Sequence, residues 1–227
     1  MKREIKTTAD GSKTIFIDEL QEGYHSHNGA LQEAEHVFIK NGINKVKNYE
    51  INILELGFGT GLNALVTINE FLKNDKNHII NYFTLEKYPV NNEEIVELNY
   101  AKHFTFENAQ EIYQKIHELE WNKTHEILPN FFFTKYNLDF FKIKEINLPA
   151  INLVYYDCFG AKVQPDLWEK PLFEIVKNKM KDGGLLTTYS SKGSVRRILK
   201  ELNFEVTKLE GPKGKREMIN AVLKEPS

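Results

Sequence analysis

Short runs of successive apolar and β-branched residues recur along the chain at 51–56, 79–85, 131–136, 151–156 and 185–189. Neighbouring apolar positions suit strands covered on both faces, as in a parallel sheet, because each face then needs its own hydrophobic side chain. Stretches with helical periodicity lie at 62–72, 91–100, 166–180 and 194–202. Strand alternating with helix predicts a doubly wound α/β sheet with helices on both faces. Another strand is expected at 217–223, whereas 108–130 reads as an irregular, partly helical insertion. The start is different in kind. A polar stretch holding the turn dipeptide Asp10-Gly11 leads into Thr14-Ile15-Phe16-Ile17, which predicts a β-hairpin. A helix is expected over 31–40. The expected organisation is therefore a β extension and helix over 1–45, packed on a core domain over 46–227.

Composition removes several classes. Hydrophobic residues at 41% and charged residues at 27% are ordinary globular values and argue against intrinsic disorder. The single cysteine, Cys158, excludes an internal disulfide framework and a multi-cysteine zinc site. The longest uncharged run, 56–69, contains three glycines and is shorter than the roughly 20 apolar residues of a membrane helix. The first residues lack an apolar core, so no secretory signal is expected. These features lead to the expectation of a soluble cytoplasmic protein with no membrane partner. No metal site is expected: His25, His27 and His36 read as plain surface residues, and Cys158 as structural. Trp168 and Phe173 are expected to pack a helix against the sheet.

The chemistry begins where the first core run, ending in Glu55-Leu56, meets Gly57-Phe58-Gly59-Thr60-Gly61-Leu62-Asn63. Glycines at a strand-to-helix junction let a ligand approach the backbone, with amides at the helix start facing it. The spacing G-x-G-x-G departs from the G-x-G-x-x-G dinucleotide fingerprint, and no Lys-Ser/Thr pair follows as in a phosphate loop. With Glu55 two residues upstream it resembles motif I of S-adenosyl-L-methionine-dependent methyltransferases. Glu86 ends the next run, where an acid can accept two hydrogen bonds from vicinal ribose hydroxyls. Asp139 follows the third run, where a carboxylate can accept the exocyclic amine of adenine. Acids after successive strands are expected to face one crevice.

The fourth run ends in Asp157-Cys158-Phe159, followed by Pro165-Asp166-Leu167-Trp168. This D-x-F…P-D-L-W element resembles the methyltransferase domain of MnmC-type tRNA-modification enzymes. The resemblance is supported by Thr8-Ala9-Asp10-Gly11-Ser12, Gly29-Ala30-Leu31-Gln32-Glu33, Ser191-x-Gly193-x-Val195-Arg196-Arg197 and the tail from Gly211 to Met218. Cys158 stands where that pattern commonly has glycine. The resemblance implies a Rossmann-like class I methyltransferase fold with a mostly parallel seven-stranded sheet and the N-terminal β extension. It implies S-adenosyl-L-methionine as cofactor, held by Glu33, Glu55, Gly57, Phe58, Gly59, Gly61, Asn63, Glu86, Lys87, Leu138, Asp139 and Asp157. The implied reaction is methylation of the aminomethyl nitrogen of 5-aminomethyl-2-thiouridine at the tRNA wobble position. The implied source of that aminomethyl group is a separate oxidoreductase, since the sequence leaves no room for a fused FAD domain. An amine must be neutral to attack, so Asp157 is the candidate to orient it and accept its proton. Phe159 is the candidate to stack on the uracil ring.

Charge adds a partner. The window 177–216 holds eleven basic and four acidic residues, a balance of +7 against −9 for the rest of the chain. Lys192, Arg196, Arg197, Lys213, Lys215 and Arg216 are the expected phosphate contacts of a tRNA-binding face. Two alternatives remain open at this stage: a methyltransferase of the same fold acting on a small-molecule amine, and a non-catalytic cofactor-binding module.

Overall fold

Asp10-Gly11 turns the chain between β1 (Arg3–Thr7) and β2 (Lys13–Ile17), an antiparallel hairpin that β3 (Glu22–Gly23) extends to three strands. Residues 2–73 and 78–225 are described by this computed structural model. The Asp10 carboxylate does more than make the turn. Its Oδ1 accepts from Thr8 Oγ1 and from the Ser12 hydroxyl and amide, while its Oδ2 accepts from the Gln32 amide at 2.9 Å. That last bond satisfies a free N–H in the first turn of α1 (Ala30–Ala34), which continues as a π-helical turn over Glu35–Lys40. Four donated bonds outweigh partial burial and hold Asp10 down to about 2. The hairpin thereby fixes where α1, and with it Glu33, sits on the core.

The core strands are β4 (Glu50–Leu56), β5 (Ile79–Leu85), β6 (Thr124–Leu128), β7 (Phe131–Tyr136), β8 (Ile151–Tyr156), β9 (Met180–Thr188), β10 (Phe204–Glu210) and β11 (Glu217–Leu223). The helices are α2 (Leu62–Lys73), α3 (Asn92–Leu98), α4 (Ala109–Glu118), α5 (Lys170–Lys177) and α6 (Gly193–Glu201). The sheet runs β10-β11-β9-β8-β4-β5-β7-β6, parallel from β9 through β7 and antiparallel at both edges. The sheet has eight strands where seven are expected. Two edge strands coincide with no apolar run: β6 lies inside the expected insertion and β10 in a charged stretch, and each buries one side chain. Edge strands rich in charge carry too little hydrophobic signal to be read from sequence.

Connections leave β4 towards β5 on one side and β8 on the other, so a crevice opens at the carboxyl ends of β4 and β8. The period of two along each strand then sorts the side chains. Ile51, Ile53, Tyr82, Phe133 and Tyr155 face a cluster shared with α1, α2 and α4, whereas Leu54, Leu56, Val154 and Tyr156 face α5 and α6. Trp168 and Phe173 both pack on Tyr156, at centroid distances of 5.3 and 4.6 Å. The helix-on-sheet expectation holds for both.

Candidate functional site

At the crevice lies a cavity of about 450 Å³, within the ~300–1,000 Å³ range of small-molecule sites. Its floor is the glycine turn. Gly57 has φ +100, and a Cβ there would meet the Asp157 carbonyl oxygen at 2.9 Å. Gly61 has φ +74 and is closed in by His117 Nε2 at 2.8 Å from where its Cβ would lie. Any other residue at either position would strain the turn or force neighbouring atoms apart. Gly61 therefore shapes the turn and does not line the cavity, unlike Gly57, Phe58 and Gly59.

Side chains outside the turn brace it. The Thr60 carbonyl accepts from Tyr113 Oη at 3.0 Å and from His117 Nε2 at 3.2 Å, both on α4. Thr60 Oγ1 meets His25 Nε2 at 2.8 Å, from the segment after β3. Burial holds His25 at about 4 and His117 at about 3, so both imidazoles are neutral at physiological pH. His25 is thus part of the cavity wall rather than the surface residue the sequence suggested; His36 instead bonds the Glu210 carbonyl oxygen at 2.8 Å. Lys135, 1% exposed in β7, sends its ammonium to the His117 carbonyl at the end of α4, and burial lowers it to about 8.

Strand parity places the acids. Glu86 continues the Tyr82–Thr84 face and receives the Gly59 amide at 2.9 Å and the Tyr88 amide at 2.8 Å. Asp139 caps the 3₁₀ turn Phe140–Glu145 through the Phe141 amide and pairs with Lys87 at 3.0 Å. Asp157 continues the Tyr155 face towards the start of α2, where Asn63 Nδ2 donates to its Oδ2 at 2.7 Å. Burial raises Asp157 to about 7, with Asn63 opposing the rise. Asn63 Oδ1 is buried and, among the described residues, has no hydrogen-bond partner. Trp168 Nε1 holds the loop after Asp157 through the Phe159 carbonyl at 2.7 Å, and Phe159 meets Tyr24 edge-on at 5.0 Å.

Eleven of the expected site residues line this one cavity: Glu33, Gly57, Phe58, Gly59, Asn63, Glu86, Lys87, Asp139, Asp157, Phe159 and Lys215. Two cofactor expectations besides Gly61 are corrected. Glu55 shares the pleat face of Ile53, so it points under α2 beside Tyr82; it is fully buried, receives Thr84 Oγ1 at 2.6 Å, and is raised by burial to about 8. Leu138 packs on the α5–α6 side, and Phe140 lines the cavity in its place. Lys192, Arg197, Lys213 and Arg216 are exposed and outside the cavity, while Arg196 is half-buried, its Nε buried and without a hydrogen-bond partner among the described residues. Sequence reasoning missed residues 21–28, Tyr88, Gln164, Leu167 and Tyr189, all of which line the cavity. No periodicity or motif marked them, because they arrive from a loop, a strand end and the packed extension.

The lining carries five carboxylates (Glu22, Glu33, Glu86, Asp139, Asp157) and two ammonium groups (Lys87, Lys215), a field that favours a cationic ligand. A family model described as S-adenosyl-L-methionine-dependent methyltransferase matches residues 103–224. A tRNA 5-methylaminomethyl-2-thiouridine biosynthesis bifunctional protein MnmC from Leptospira interrogans is 29% identical over 226 residues, which is 91% of this chain and 33% of that protein. The protein of the same name from Pseudoalteromonas atlantica is 27% identical over 248 residues, covering 97% and 33% respectively. The crystal structure of MNMC2 from Aquifex aeolicus superposes with a TM-score of 0.78 at 27% identity, over 99% of this chain and 72% of that one. The chain spans about a third of the length of the curated relatives it matches.

Proposed function

The chain belongs to the S-adenosyl-L-methionine-dependent methyltransferase family, and from that premise we propose that it methylates the aminomethyl nitrogen of 5-aminomethyl-2-thiouridine at the wobble position of tRNA. The observation that carries this reading is the placement of Asp157. Its carboxylate stands in the same cavity as the glycine turn, where Asn63 Nδ2 donates to it at 2.7 Å. Lys215 lines that cavity, exposed Lys213 and Arg216 lie on the same loop, and exposed Lys192 follows three residues after Tyr189, which also lines it. A small-amine substrate would not require those exposed basic residues. The names of the Leptospira and Pseudoalteromonas relatives support the tRNA assignment.

In this reading Glu86 holds the ribose, Asp139 the adenine amine, and the turn 57–61 the methionine portion of the cofactor. The cavity's carboxylates and its room against Gly57 fit that group. Bound S-adenosyl-L-methionine supplies an electrophilic methyl on a sulfonium, already a good leaving group. The protein's work is alignment and exclusion of water. Asp157 accepts a proton of the attacking amine as the new N–C bond forms and the C–S bond breaks, and then releases it to solvent. Its elevated value near 7 suits that exchange at neutral pH. Phe159, set edge-on against Tyr24, offers a face to the uracil ring. We place the reaction in the cytoplasm, downstream of an oxidoreductase step on the same nucleoside.

The test is mass spectrometry of tRNA nucleosides after incubation with methyl-labelled S-adenosyl-L-methionine. Label in 5-methylaminomethyl-2-thiouridine supports the proposal. Label transfer only to small amines, with tRNA unmodified, would overturn it.

A further inference from the structure

We propose that Lys215 and Glu33 together hold the amino-acid end of bound S-adenosyl-L-methionine, Lys215 taking the carboxylate and Glu33 the α-ammonium. The proposal rests on the reading that the cavity is the cofactor site.

Sequence and charge assign Lys215 to a phosphate-binding rim, but its surroundings are those of a binding-pocket residue. It lies on the loop between β10 and β11, and its ammonium reaches Glu33 Oε1 at 2.6 Å across the cavity wall. The Tyr189 ring lies beneath it, with Nζ 3.9 Å from the centroid. The loop is pinned on the helix side: Gly214 packs against the Asn28 side chain, and His36 bonds the Glu210 carbonyl oxygen at 2.8 Å. Glu33 is equally fixed, its Oε2 receiving the Ser26 amide at 2.9 Å. Both side chains are held inward, and Lys213 and Arg216 on the same loop remain exposed for other work.

The sheet order decides which end of a ligand meets this pair. The cavity holds two pairs of opposite charge. Lys87–Asp139 stands with Glu86 at the β5–β7 end. Lys215–Glu33 stands with Asp157 and Tyr189 at the β8–β9 end, on the far side of the glycine turn. A ligand whose ribose rests on Glu86 and whose chain crosses the turn delivers its other end there. That end carries a carboxylate and an ammonium on one carbon, which calls for a cation and an anion side by side. Among the described residues, the Lys215 ammonium makes one hydrogen bond, to Glu33, and it has three N–H groups to give. A ligand carboxylate can therefore be received without breaking the pair.

Two ligands separate the ends of the cofactor. S-adenosylhomocysteine retains the amino-acid end, and methylthioadenosine lacks it while keeping adenine, ribose and sulfur. Calorimetry on the full chain should show Lys215→Met weakening S-adenosylhomocysteine by about 10- to 100-fold, the range for a charged hydrogen bond, with methylthioadenosine binding unchanged. Glu33→Gln should show the same selectivity, and Lys215→Arg should restore much of the loss. A lysine that only pins the loop would lower the melting temperature and weaken both ligands alike, which would overturn the proposal. So would unchanged S-adenosylhomocysteine affinity in a folded Lys215→Met protein. Failure of both ligands to bind the wild-type protein would instead overturn the cofactor site on which the proposal stands.

Discussion

Replacing Asp157 by asparagine isolates the proton-accepting step, because the side chain keeps its shape and loses only its charge. Burial raises the wild-type group to about 7. It is then about one-tenth ionised at pH 6 and about nine-tenths ionised at pH 8. If ionised Asp157 accepts the amine proton, the ratio of wild-type to Asp157→Asn rates should climb by about tenfold between those pH values and level off above. At the plateau the ratio should be on the order of 10²–10⁴, the usual contribution of a positioned acid–base group. The amine's own titration is common to both proteins and cancels in the ratio. The assay is methyl transfer to tRNA at subsaturating cofactor and substrate, where the free enzyme is the reference. Asn63→Ala supplies the sign. The Asn63 bond to Asp157 Oδ2 favours the charged form. Its loss should raise the group further and move the climb to higher pH, by about one to two units for a bond of about 1.5–3 kcal/mol. A ratio that stays flat from pH 5.5 to 8.5, or a climb that Asn63→Ala leaves in place, would reduce Asp157 to a structural loop residue.

Glu86→Ala removes the acceptor of the Gly59 amide as well as the proposed ribose contact, and calorimetry should show cofactor binding weakened by about 1–3 kcal/mol. Glu55 is raised from 4.5 to about 8 by burial, so its contribution to stability is full below about 4.5 and is lost as pH rises through about 8. Melting temperatures of Glu55→Gln should therefore be flatter than wild type across that window; parallel curves would show that Glu55 is not protonated in the native state. Arg197 is exposed and Arg196 half-buried, so Arg197→Ala should lower the slope of log tRNA affinity against log salt by about 1. Arg196→Ala should act mainly on melting temperature, and equal salt slopes for wild type and Arg197→Ala would remove Arg197 from the RNA face.

The local chain carries its own record of the inner strands. The runs 79–85, 131–136 and 151–156 coincide with β5, β7 and β8, because strands covered on both faces need apolar side chains towards each face. The glycine turn, Glu86, Asp139 and Asp157 were legible for a related reason. Residues at the end of a buried strand can go nowhere except the crevice that the strand order opens. What tertiary structure alone decided is what packs on top. Depth along the strand removed Glu55 from the cavity: it shares the face that Glu86 and Asp157 continue, but it lies inside β4, level with Thr84 and Tyr155, rather than beyond the strand end. Pinning of the β10–β11 loop against Asn28 turned Lys215 inward, although in sequence it is indistinguishable from its exposed neighbours Lys213 and Arg216. The wall formed by residues 21–28 depends on the Asp10 carboxylate docking the hairpin onto α1, a bond between residues 22 positions apart. Such contacts join segments with no common period and no shared motif, so they come into being only when the chain has folded.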